Sequence, residues 1–104
     1  MDNRKIDQLV AEKVMGFEVR NGQRAEDGKR FGIPSYSQKI EDAWQVVEKL
    51  DRKYEFELTR FEDEDKWYCD LTNWNDDLRS IRSVEKTAPL AICKAALKTV
   101  GVEV

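Results

Sequence analysis

The spacing of hydrophobic and polar positions changes rhythm several times along this chain, and each rhythm predicts a different element. At the start, Ile6, Leu9, Val10 and Val14 recur at helical spacing behind Asp2 or Asn3 as a cap. Lys13 falls inside this stripe, so its aliphatic stem is expected along apolar surface. Gly16 is placed to end the helix. From Phe17 to Pro34 no period persists. Gly22, Gly28, Gly32 and Pro34 interrupt a charged stretch that reads as a long loop over residues 17–36, the kind that often carries function in a small domain. Within it, Asn21-Gly22 suits a small hairpin flanked by Phe17, Val19 and Phe31. A second helical rhythm covers about Gln38 to Asp51. Ile40, Ala43, Trp44, Val46, Val47 and Leu50 form one face, with Trp44 at its edge. Ser37 is a suitable N-cap, and Ser35 with Gln38 three residues on is the competing one.

The period then falls to two. Tyr54, Phe56 and Leu58 alternate with Lys53, Glu55, Glu57 and Thr59, as on a strand with one buried face. Glu62 to Asp65 makes a turn, and Lys66 to Leu71 a second strand with Trp67, Cys69 and Leu71 on one side and Tyr68 on the other. Asn73 to Asp77 turns again into a third, weaker strand, Leu78 to Val84. Connections this short predict an antiparallel meander. In the closing stretch TAPLAICKAALKTVG, Thr87 caps a helix and Pro89 sits in its first turn. Leu90, Ile92, Cys93, Ala96, Leu97 and Val100 share a broad face, while Ala91 and Ala95 fall on the outer side, where alanine serves as a strong helix former. Ala96, mid-face, is small enough to let the helix dock closely, and Gly101 ends it. The predicted order is α-α-β-β-β-α, an α+β fold in one domain over residues 1–104: a three-stranded antiparallel meander with helices packed on it.

Composition narrows the function more than it defines it. The 104 residues carry a formal net charge of -3, with acids and bases interleaved. Only Arg20, Arg24, Lys29 and Arg30 gather, with Glu26 and Asp27 among them, so the basic stripe that nucleic-acid binding needs is missing. There is no histidine, which removes the commonest general base and metal ligand. Neither a phosphate-binding glycine loop nor EF-hand spacing is present, so Glu62 to Asp65 reads as a solvated turn. In a meander, Asp76-Asp77 lies at the opposite end of the sheet from that turn, and no carboxylate pair converges. Cys69 and Cys93 read as buried free thiols, a disulfide between them being left open. No signal peptide and no membrane-spanning apolar run is recognisable, which predicts a cytoplasmic protein. No cofactor, metal or catalytic residue is expected. The remaining candidates are aromatics that cannot all be buried, Tyr36, Trp67, Tyr68 and Trp74, with Arg20, Arg24 and Arg30 as anion contacts. Core or edge packing is the ordinary role for each of those rings.

Three segments, IDQLVAEKVMG, YSQKIEDAWQVVEKL and TAPLAICKAALKTVGVE, resemble the phage ABA sandwich domain family in order and spacing. The resemblance covers all three helices, while the strands and residues 17–36 agree only in placement. It implies an alpha-beta-alpha layered sandwich in a small bacteriophage or prophage protein, and it brings no established activity and no catalytic residues. One departure stands out: Gln38-Lys39 follows Ser37 where the family often has Thr-Asp, and Glu41-Asp42 stand where it has alanines. The expectation is a non-enzymatic accessory protein of the bacterial host cell's cytoplasm that binds a host protein or a small anionic metabolite. The alternative is a structural, self-associating module of a phage assembly, a homo-oligomer.

Overall fold

The computed structural model describes residues 2–104, with the side chains of residues 76–79 outside that description; the Asp76-Asp77 pair and Leu78 fall there. Helix α1 spans Asn3–Leu9, and the Lys5 amide donates to the Asp2 carboxylate at 2.8 Å, capping it. The helix then widens into a π turn over Val10–Val14, where the Met15 amide donates to the Val10 carbonyl at 2.9 Å. Ile6, Val10, Ala11 and Val14 are buried along one side, and the Lys13 side chain is half exposed beside Val14 and Leu50.

The expected long loop is instead ordered as a sheet. Strands β1 (Glu18–Arg20), β2 (Gln23–Glu26) and β3 (Lys29–Phe31) pair antiparallel in sequence order. The order α-α-β-β-β-α is therefore corrected by a second, small three-stranded sheet between the first two helices. Aperiodicity misled here because the strands are three or four residues long and mostly exposed, too short for any alternation to persist.

Helix α2 spans Ile40–Leu50, two residues shorter at its start than predicted, with Lys39 at the cap position and no side-chain cap. Ser37 is occupied elsewhere. Its amide donates to the buried Asp7 carboxylate at 2.8 Å and its hydroxyl to the Asn3 carbonyl at 3.3 Å. The Asp42 carboxylate reaches back to accept from the Ser35 amide at 2.9 Å, and Arg4 donates to the Ile33 carbonyl at 3.1 Å. Residues 33–37 are thus stitched between α1 and α2, which satisfies backbone groups in a buried crossing.

The main sheet is the predicted meander: β4 (Tyr54–Arg60), β5 (Trp67–Asn73) and β6 (Asp76–Glu85), with β5 central. Register places Phe56, Leu71 and Ile81 in one row and Leu58, Cys69 and Ser83 in the next, both facing the core. Helix α3 (Ala88–Thr99) lies on β5 and β6, and α2, the π turn and α1 pack on α3 in turn. Its Ala96 is fully buried as expected, and Ala91 and Ala95 are fully buried too, which corrects the outward placement expected of those two. Only the strip carrying Lys94 and Lys98 stays open, and both are tied to β6: Lys94 Nζ lies 2.7 Å from Glu85, and Lys98 donates to the Arg82 carbonyl at 2.9 Å. With the sheet on one side and helices on another, these three alanines have no accessible surface into which a larger side chain could grow.

Ala95→Leu is therefore expected to destabilise the protein by about 1–3 kcal/mol through overpacking. Urea unfolding checks it, and a neutral result would return Ala95 to the solvent side.

Candidate functional site

The small sheet is built by two tight turns. Asn21 and Gly22 have φ of 52° and 74°, and Asp27 and Gly28 have φ of 50° and 77°. Positive φ at both central residues is what a two-residue hairpin with right-twisted strands requires, and Asn-Gly and Asp-Gly tolerate it best. The first hairpin is the one predicted; the second was legible in the same dipeptide logic at Asp27-Gly28 and was missed.

Pairing gives this sheet two unlike faces. On one, Val19, Arg24 and Phe31 stand in a row. The Arg24 guanidinium lies between the rings of Phe17 and Phe31, at 4.8 and 5.1 Å from their centroids. On the other face Glu18, Arg20, Ala25 and Arg30 combine with Glu26 and Asp27 around an open depression of about 250 Å³. Arg20 donates to the Glu18 carboxylate at 2.6 Å, and Arg30 donates to the Arg20 carbonyl at 3.1 Å. Arg20 and Arg30, singled out from sequence, are thus brought together and held.

The aromatic candidates are not. Tyr36 is fully buried in the main core, so the expected exposed contact there is corrected: the ring is packing, and its hydroxyl has no hydrogen-bond partner among the described residues. Burial pushes its ionisation up, partly countered by the nearby Arg24 charge. Trp67 is half-buried at the rim of the core, with the Arg60 guanidinium 5.8 Å from its ring. Trp74 is 54% exposed in the β5–β6 turn, and its indole N–H donates to the Asp51 carbonyl at 3.0 Å. Trp67 and Trp74 lie near opposite ends of β5, roughly 20 Å apart at strand rise. No single surface joins them.

Residues 8–97 match the family model of the phage ABA sandwich domain. The chain belongs to that family. A 2.0 Å crystal structure of a phage protein from Bacillus cereus ATCC 14579 is similar over 100% of this chain and 92% of its own length, with 39% sequence identity and a TM-score of 0.89. No curated protein matches. No helix among the described residues of this ABA sandwich domain is long and apolar enough to cross a membrane.

A further surface of the ABA sandwich domain has little signature in the sequence. The face of the main sheet turned away from α3 carries Glu57, Asp70 and Arg82 in one row and Thr59, Tyr68 and Val84 in the next. These residues are exposed or half-buried. Arg82 donates to Asp70 at 2.7 and 3.3 Å and lies 5.3 Å from the Tyr68 ring centroid, and Tyr68 donates to Glu64 at 2.6 Å. Phe61 meets Tyr68 edge-on at 5.4 Å. The alternation of β4 and β5 shows which residues share this face, but nothing in the pattern says that no helix of the chain would cover it.

Two predictions follow from the buried groups. Tyr36→Phe removes an unpartnered hydroxyl and is expected to raise the unfolding free energy by about 1 kcal/mol; a loss of that size in a urea titration would reveal a partner. Cys69 and Cys93 are free and buried, and burial pushes the Cys69 thiol from 9.0 up to about 12 and the Cys93 thiol upward as well. Above pH 9 the unfolded chain releases thiol protons that the folded chain keeps, so stability falls as pH rises toward 12. A Cys69→Ala, Cys93→Ala variant should show a shallower decline in urea midpoint over that window, and an equal slope would refute the assignment.

Proposed function

We propose that this ABA sandwich domain acts by non-covalent binding rather than catalysis, with the outer face of β1–β3 as the contact surface for a protein of the bacterial host. The observation that carries the reading is a small sheet that contributes little to the core yet is fixed by two tight turns and a guanidinium between two rings. Order maintained at an exposed site costs conformational entropy, and the core gains little from it. The radius of gyration is 13.8 Å, against about 12.9 Å for a compact domain of this length. Two guanidiniums and three carboxylates surround the depression. That mixture suits a protein surface of complementary charge better than a small anion. The marked shifts among the described acid–base groups are those of buried thiols, tyrosines and Arg82, all upward and away from neutrality, which is the opposite of a poised general base.

A second reading, self-association as a structural module, is favoured by the uncovered outer face of β4–β6 with Phe61 and Val84 exposed on or beside it. Light scattering behind gel filtration separates the two: a strict monomer at high concentration sinks self-association. For the first reading, the wild-type chain and an Arg20→Glu, Arg30→Glu variant are immobilised in Bacillus cereus lysate. Proteins retained by the wild type should be depleted at least about tenfold by the variant. Equal retention would remove β1–β3 as the contact surface.

A further inference from the structure

A second depression, of about 290 Å³, lies where three helical segments finish. Lys13 enters it from the π turn, Lys49 and Leu50 from the end of α2, Lys53 and Tyr54 from the start of β4, and Val100 from the end of α3. Among the described residues, no carboxylate lines it. Lys13 Nζ lies 3.2 Å from the neighbouring Glu12, an exposed pair of little strength. Among the described residues, Lys49 and Lys53 have no carboxylate within 4.0 Å. Three clustered cations in a chain whose net charge is -3 need a physical reason.

Helix ends supply part of one, since a cation in a last turn offsets the negative end of the helix dipole. That accounts for Lys13 and Lys49. It does not account for Lys53, which lies on no helix, nor for Lys98 in the last turn of α3, which is directed to the Arg82 carbonyl instead. Each helix end amounts to about half a negative charge and Glu12 sits beside Lys13, so the three ammonium groups leave the depression with a small positive excess. The π turn contributes as well. Lys13 lies in the π turn and lines the depression, and π turns recur at functional sites. Leu50, Val100 and the Tyr54 ring add an apolar part to the wall, and the volume is near the lower end of small-molecule sites, about 300 Å³.

We propose that this depression binds a small organic phosphate, with the phosphate held by the ammonium groups of Lys13, Lys49 and Lys53 and its apolar or aromatic body against Leu50, Val100 and Tyr54. Lysine serves here as a point charge for a phosphate dianion. The site is separate from the β1–β3 surface and stands whether or not that surface binds a protein.

The test is a two-dimensional amide NMR titration of the full chain with AMP and, separately, with inorganic phosphate at matched ionic strength. The expected result is saturable shifts at Leu50, Tyr54 and Val100, with AMP binding at least about tenfold tighter than phosphate. Lys49→Gln with Lys53→Gln should weaken AMP at least about tenfold, and Arg20→Glu with Arg30→Glu should leave it unchanged. All three lysines are exposed, so the variants should fold; if the double variant does not, Lys13→Gln alone gives the same reading. Absence of saturable shifts, equal affinity for AMP and phosphate, or undiminished binding by the lysine variants would overturn the proposal.

Discussion

The close seat of α3 on β5 and β6 is the constraint from which the other packing follows. Cys69 and Ser83 are small residues facing the core, and Ala91, Cys93, Ala95 and Ala96 are small residues on the helix, all buried. Small side chains on facing surfaces allow close approach, and close approach then forbids anything larger. Because α3 also carries α2 and the π turn, its alanines serve two interfaces at once. The family match over residues 8–97 spans this whole arrangement except the ends of the chain.

What the sequence made legible was the periodic part. Three helices, three strands and the turn at Asn21-Gly22 stand where spacing and turn chemistry place them. The misplacements have particular causes. A helical wheel treats one side of a helix as wet, and α3 has neighbours around most of its circumference, so Ala91 and Ala95 were assigned to the wrong side. Ser37 has the chemistry of a cap but is engaged by Asp7 and Asn3, residues about thirty positions away in sequence. Ile40 and Trp44 satisfy the apolar stripe of α2 yet are both 46% exposed, Trp44 meeting Phe56 edge-on at 5.7 Å. Local pattern does not register such long-range competition.

The candidate sites were less legible for a related reason. Arg20 and Arg30 were identified by charge alone, and pairing of β1 with β2 and of β2 with β3 brings them to one face. Tyr36 sits in a segment whose aperiodic pattern suggests a loop, and ordering of that segment puts it in the core. Lys13, Lys49 and Lys53 are spread over forty residues and converge only through the tertiary fold. Binding surfaces assembled from ends of elements leave little trace in any one stretch of sequence, whereas a catalytic motif on one loop often does.

Amide hydrogen exchange followed residue by residue tests the central claim most directly. If the α3 seat organises the structure, amides of Cys93 to Leu97 and of Cys69 to Leu71 should be the slowest to exchange, opening only with global unfolding, while those of β1–β3 exchange through local opening several kcal/mol easier, about 2 kcal/mol or more. Exchange in α3 as fast as in β1–β3 would contradict the account.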